Sequence, residues 1–173
     1  MRFIVVQAIG ILGTIVFFLS YQCKKNRNLF RVQFVSYLCY TTHLLLLGAV
    51  TGGISYVLNM ARSFCLGSKY AFLKGKWTCA ILCALQIATL VFTWDGWWSV
   101  LPVAANIAAT VGGYTHNARK IRLAGIFINS PLWIVYDIAV GSWAGILDEV
   151  VSEASMLLSI WRYGWKDLDT TES

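Results

Sequence analysis

Apolar residues fall in seven long runs along this chain, at about 3–21, 33–49, 52–67, 77–94, 97–114, 124–140 and 145–161. Each approaches the roughly 20 residues that a helix needs to cross a bilayer, with about 17–25 tolerated. The pattern therefore predicts an all-α membrane protein with seven transmembrane helices. Several runs are short and contain polar residues, which suits helices that turn a polar face into a bundle. Runs two and three are separated only by Gly48 to Gly53, and runs six and seven only by Gly141 to Gly145, so both breaks predict tight helical hairpins. The first run, Phe3 to Ser20, exceeds the roughly 7–15 residues of a signal-peptide core. It leads into Tyr21-Gln22-Cys23-Lys24-Lys25 with no small-x-small cleavage pattern, so it reads as a retained span.

The charges orient these helices. Lys24, Lys25, Arg27 and Arg31 lie between runs one and two; Lys69, Lys74 and Lys76 between three and four; Arg119, Lys120 and Arg122 between five and six; Arg162 and Lys166 after seven. The alternate connections contain no Lys or Arg. Only Arg2 falls on the other side, and Arg62 lies within a span. Positive loops face the cytoplasm, so the N-terminus is expected outside and the C-terminus inside. Trp94, Trp97 and Trp98 at the predicted outer turn, and Trp161, Tyr163 and Trp165 at the inner end, are placed as interfacial anchors.

Composition agrees: 58% of the 173 residues are apolar and 13% charged, against about 45–50% and about 25% in soluble domains. The net charge of +6 sits in the short loops, so nucleic acid is not an expected partner, whereas the lipid bilayer is. Cys23, Cys39, Cys65, Cys79 and Cys83 are odd in number and show no C-x-x-C spacing; they read as packing residues.

Shifting the chain by 93 positions without gaps aligns Tyr21 with Tyr114, Phe34 with Phe127, Gly48 with Gly141, Gly52 with Gly145, Val57 with Val150 and Ala61 with Ala154. It also lays Lys24–Arg27 on Asn117–Lys120, Tyr40 on Trp133 and His43 on Tyr136. An offset of four spans makes the two copies parallel. The expected organisation is a first three-helix repeat (1–68), a linker helix (69–96), a second three-helix repeat (97–163) and a disordered cytoplasmic tail (164–173).

The segments Ser55-Tyr-Val-Leu-Asn59-Met-Ala-Arg62-Ser, Leu101-Pro-Val-Ala-Ala and Gly141-Ser-Trp-Ala-Gly145 through Glu149, ending in Ile160-Trp-Arg-Tyr163, resemble the bacterial YgjV-type inner-membrane protein family over nearly the whole chain. That resemblance implies the bacterial inner membrane. The 3+1+3 layout resembles the SWEET and PQ-loop superfamily. The Pro-Gln signature of PQ-loop proteins is absent, the comparable positions reading Tyr21-Gln22 and Tyr114-Thr115. Pro102 and Pro131 are the only prolines, so four hinge prolines are not available.

Ionisable groups inside spans are costly and mark candidate function. Tyr56, Asn59 and Ser63 share one face of span three, with Arg62 beside it. Asp148, Ser152, Ser155 and Ser159 form a stripe on span seven, with Glu149 and Glu153 adjacent. The two faces are expected to meet along the central axis, with Tyr56, Asn59, Asp148, Ser152 and Glu153 as substrate-binding candidates. Arg62 is expected to pair with Glu149 or Glu153, because an unpaired guanidinium in hydrocarbon is costly. His43 and Asp137, in the outer halves of spans two and six, are candidates for a proton relay or for hydrogen-bonded helix packing. Gly10, Gly13, the alanines 104, 105, 108 and 109, and Gly112-Gly113 mark close helix contacts.

The leading functional expectation is a transporter or facilitator of an unidentified small solute, with its site between the repeats near mid-membrane and proton coupling as an option. The alternative is a non-transporting membrane protein, receptor-like or an assembly factor, whose polar core is structural. No Ser/His/Asp set, metal motif or phosphate loop has usable spacing, so no enzyme, catalytic residue, metal site or cofactor is expected. Nothing in the sequence specifies an oligomeric state.

Overall fold

The computed structural model describes residues 2–167, with side chains for residues 3–164. Among them it is all-helical, with seven long helices and no strand: α1 (Arg2–Tyr21), α2 (Asn26–Leu47), α3 (Val50–Gly67), α4 (Lys76–Phe92), α5 (Val100–Tyr114), α6 (Ala118–Val140) and α7 (Trp143–Asp167). Short 3₁₀ turns at Ala71–Lys74 and Trp97–Ser99 precede α4 and α5. The expected disordered tail from residue 164 is corrected over 164–167, which belong to α7, while 168–173 lie outside the described residues, as do the side chains of Arg2, Trp165 and Lys166.

Two helices start well before their apolar runs. α2 begins at Asn26 and α6 at Ala118, so Arg27, Arg31, Arg119, Lys120 and Arg122 stand on helices rather than in loops. Lys and Arg are good helix formers, and their long stems let the charge reach water from a helix end. Hydrophobicity thus marks where a helix can contact lipid, not where it begins. The turn Gly125–Asn129 of α6 is a π-turn. Pro131 follows it at once, and a proline removes an amide donor and crowds the carbonyl four residues back.

The hairpins at Gly48 and Gly141 close identically. Gly48 has φ +82° and Gly141 φ +69°, a conformation that costs glycine little and other residues more. Gly48 N–H donates to the Leu45 carbonyl (3.1 Å) and Ala49 N–H to that of Leu44 (3.0 Å). Gly141 N–H donates to Ile138 (3.3 Å) and Ser142 N–H to Asp137 (2.9 Å). These are two Schellman closures, 93 residues apart.

α2 packs between α1 and α3; α1 also packs along α7, α7 along α6, and α3 along α5. α4 sits at the edge against α3 and α5, with only Leu82, Gln86 and Thr89 buried. Close approach of α1 to α7 depends on Gly10, where a Cβ would sit 2.6 Å from the Ala144 Cβ.

Burial is inverted relative to a soluble bundle. Among the described residues, buried polar side chains outnumber buried apolar ones, while Ile4, Leu12, Leu38, Phe64, Val91, Phe127, Ile138 and Leu157 lie exposed. Such an outside is expected where the surrounding medium is hydrocarbon, since packing of small and polar groups rather than the hydrophobic effect then holds helices together. By length and hydropathy alone, Phe3–Tyr21 (mean hydropathy 2.4) and Ala118–Val140 (1.6) suffice to cross a membrane. The remaining helices are shorter or carry the polar interior.

Candidate functional site

The interior is organised around Tyr56 of α3. Its ring stacks on Tyr40 (5.2 Å between centroids, 19° between planes) and meets Trp133 at 4.6 Å and Tyr37 at 5.5 Å. All four rings are buried. Tyr40 and Trp133 occupy equivalent positions in the 93-residue shift, so the two related side chains hold Tyr56 between them. Offset contacts of this kind contribute about 0.5–1.5 kcal/mol per pair beyond area burial.

On the α5 side of this column, Asn59 Nδ2 donates to Asn106 Oδ1 at 2.7 Å, and Trp133 Nε1 donates to the same oxygen at 3.3 Å. Asn59 Oδ1 and Asn106 Nδ2 have no hydrogen-bond partner. One turn further along α3, Arg62 Nη2 donates to Tyr37 Oη at 2.9 Å, and its guanidinium lies 5.7 Å from that ring's centroid. Arg62 is 3% exposed, and its Nε and Nη1 make no hydrogen bond. Ser55 Oγ, Ser63 Oγ and Gln86 Oε1 are likewise buried without partners.

On the α7 side, Asp148 and Glu149 are buried. Asp148 faces Thr14, Tyr40 and Ser152, and Glu149 faces Ser130. The Thr14 and Tyr40 hydroxyls form a very short hydrogen bond. Asp148 Oδ1 and Ser152 Oγ have no partner. Glu153 is half-buried at the edge of this group.

One expectation needs correcting here. Arg62 does not hydrogen-bond Glu149 or Glu153; the group it reaches is the Tyr37 phenol. The main packing partners of α3 are α2, α4 and α5 and those of α7 are α1 and α6, and Tyr56 is the α3 side chain that comes near Asp148 and Glu149. Tyr37, in the aromatic column, is near both the guanidinium and the two buried acids. Of the substrate-binding candidates, Tyr56 is the centre of the column, Asp148 and Ser152 lie on its α7 side, Asn59 lies on its α5 side, and Glu153 is half-buried.

At the Gly48 end, His43 Nδ1 lies 2.8 Å from the Val6 carbonyl and Nε2 3.1 Å from Ser142 Oγ. A carbonyl can only accept, so Nδ1 donates, and in a neutral ring Nε2 accepts from the Ser142 hydroxyl. Ser142 also lies beside Asp137, so the serine stands between His43 and Asp137. Asp137 is buried against Gly145, where a Cβ would collide with its carboxylate. Tyr136 Oη accepts from Gly52 N–H at 3.0 Å. Tyr136 also forms part of the wall of an open cavity of about 240 Å³, with Thr51, Thr93, Asp95, Trp98 and Ser99. This vestibule lies on the face whose helix connections carry no Lys or Arg.

Asn106 escaped the sequence reading because it sits in the alanine-rich Ala104–Ala109 stretch, which reads as packing. An amide in mid-span was the available signal. Arg122 escaped it by being counted as a loop charge. It is fully buried, donating from Nε to Ser159 Oγ (2.9 Å), from Nη1 to Ala118 O (3.2 Å) and from Nη2 to Tyr21 O (3.3 Å). It therefore ties α6 to the ends of α1 and α7. The five cysteines are free and half-buried. Among the described residues no three His, Cys, Asp or Glu side chains converge as a metal site. What the interior offers is hydrogen-bond donors and acceptors, the guanidinia of Arg62 and Arg122, and the carboxyls of Asp137, Asp148 and Glu149.

No curated protein and no solved structure matches this chain. Residues 4–166, nearly its whole length, match the family model Imp-YgjV, described as bacterial inner membrane protein. The chain belongs to that family, and is a bacterial inner membrane protein.

Proposed function

We propose that this protein is a seven-span transporter or facilitator for a small, polar, hydrogen-bonding solute. The carrying observation is the set of buried polar atoms without partners around Asn59, Asn106 and Arg62. An unpaired buried donor or acceptor costs about 1–3 kcal/mol, so a cluster of them is costly unless something polar visits. Solute enters from the vestibule beside Tyr136 and Trp98, and Asn59, Asn106 and Arg62 receive it. Tyr56 and its neighbours form the plug that separates this site from Asp148 and Glu149. Protonation of those acids, or of the His43–Ser142–Asp137 group, is the proposed coupling.

The proposed architecture is two parallel three-helix repeats, α1–α3 and α5–α7, joined by α4 in a 3+1+3, SWEET-like plan. Its support is the paired Schellman closures, the Tyr40–Tyr56–Trp133 sandwich, and reciprocal packing: the first helix of each repeat lies along the last helix of the other, α1 on α7 and α5 on α3. The basic loops support an external N-terminus and a cytoplasmic C-terminus. The buried, closely packed aromatic column favours a second reading, in which the polar core is a structural element of a receptor-like or assembly protein.

Uptake into proteoliposomes across a panel of small polar solutes, with and without an imposed pH gradient, separates the two. The transporter reading expects uptake of at least one solute class that falls at least tenfold with Asn59→Ala. No uptake of any solute in either condition, by protein shown to be folded, favours the structural core.

A further inference from the structure

On the basic face, the N-terminal half of α2 and the C-terminal end of α3 enclose an open groove of about 400 Å³. Its rim is Arg27, Arg31 and Lys69; its wall is Phe34, Phe64 and Tyr70. Arg27 and Arg31 are held in parallel, because the Nε of each donates to the same carbonyl, Gly67 O, at 3.3 and 3.2 Å. That arrangement uses the Nε–H of each guanidinium in positioning it and does not engage the terminal Nη groups. Lys69 Nζ stands over the Tyr70 ring, 5.5 Å from its centroid. No carboxylate lines the groove.

The wall is as informative as the rim. The Phe34 and Phe64 rings lie 6.3 Å apart, and Phe64 is 59% exposed. Leu38, one turn beyond Phe34 on α2, is 54% exposed, so the apolar strip continues away from the cations. Three cations at one end and exposed aromatic and aliphatic side chains running from them match an amphiphile, not a soluble anion. Clustered Lys and Arg at the cytoplasmic ends of spans recruit anionic headgroups, and Arg forks suit phosphate oxygens.

We propose that this groove is a binding site for an anionic phospholipid of the adjoining leaflet. The phosphate and headgroup are held by Arg27, Arg31 and Lys69, and one acyl chain lies along Phe34, Phe64 and Leu38. The site is separate from the polar interior and does not depend on what that interior carries.

The test is native mass spectrometry of the full chain released from detergent, titrated with dioleoyl-phosphatidylglycerol, dioleoyl-phosphatidylcholine or inorganic phosphate. The wild type is expected to bind phosphatidylglycerol in preference to phosphatidylcholine. Arg27→Gln with Lys69→Gln keeps the Arg31 bond to Gly67 and is expected to weaken phosphatidylglycerol binding by roughly 30-fold, about fivefold for each cation removed. Phe64→Ser, at an exposed position, is expected to weaken both lipids while keeping the preference between them. Equal binding of the two lipids by the wild type overturns the proposal, as does a preference that survives the double substitution. Displacement of phosphatidylglycerol by low-millimolar phosphate overturns it too, by assigning the cations to a free anion.

Discussion

The Asn59–Asn106 pair allows the structural and the solute-binding roles of the interior to be separated. Asn106→Leu keeps approximate shape and removes the oxygen that accepts from both Asn59 Nδ2 (2.7 Å) and Trp133 Nε1 (3.3 Å). In soluble proteins each stranded donor costs about 1–3 kcal/mol. Interhelical hydrogen bonds in membranes average only about 0.6 kcal/mol, with a maximum near 1.7, because the unfolded state in lipid also finds partners. The lower scale governs here, so two stranded donors should destabilise by about 1–2 kcal/mol. Asn59→Leu added to Asn106→Leu removes one of those donors together with its unpaired Oδ1. The double variant should therefore recover part of the loss, with a coupling energy of about 0.6–1.7 kcal/mol. Reversible unfolding in bicelles, followed by tryptophan fluorescence, measures all four corners of the cycle. Strict additivity of the two single effects would refute the reasoning, because it would mean that the two amides do not share a bond. If the interior binds solute, the double variant is stable yet inactive, a combination that a purely structural pair does not give.

Other consequences follow from packing and from Arg122. Gly145→Ala should destabilise by about 1–3 kcal/mol, the cost of overpacking a tight contact, since all the atoms nearest the new Cβ belong to the Asp137 carboxyl group; Asp137→Ala should relieve it in the same unfolding assay. Gly48→Ala meets nothing within 4 Å and should cost only about 1–2 kcal/mol from its left-handed backbone. Arg122→Ala should cost about 1.5–3 kcal/mol, the net worth of hydrogen bonds made by a charged group, seen as a lowered Tm in detergent. Arg122→Lys should not restore it, because one ammonium lacks the planar fork that reaches Ser159, Ala118 and Tyr21 together.

Much of this molecule was legible from hydropathy and glycine. The number and order of helices followed from the apolar runs, and the two hairpins from Gly48 and Gly141, because a left-handed residue is the cheapest way to end a helix and turn within a few residues. The start of α2 and α6 was not legible, since Arg27 and Arg122 look alike in sequence although one lies on a groove rim and the other is fully buried. Only tertiary structure decides whether a guanidinium finds helix-end carbonyls. Arg62 was legible as a buried charge, but its partner was not: a phenol on α2 reaches it before a carboxylate on α7 can. The aromatic column was hidden because Tyr37, Tyr40, Tyr56 and Trp133 come from three helices whose mutual rotation no single-helix periodicity specifies. The π-turn of α6, with Met156 Sδ packed over Gly125, has no sequence signature beyond Pro131.

The central claim is that the interior around Asn106 is visited from the face that carries the vestibule. Cysteine accessibility tests it most directly. In a background with the five native cysteines replaced, Cys is introduced at Trp98 in the vestibule, at Asn106 in the interior and at Leu38 on the lipid-facing side. A small membrane-impermeant thiol reagent is then applied from outside to right-side-out vesicles. The account predicts fast labelling at position 98, slower but complete labelling at position 106 and none at position 38. Labelling at position 98 with none at position 106, over times long enough to saturate the vestibule, would contradict it.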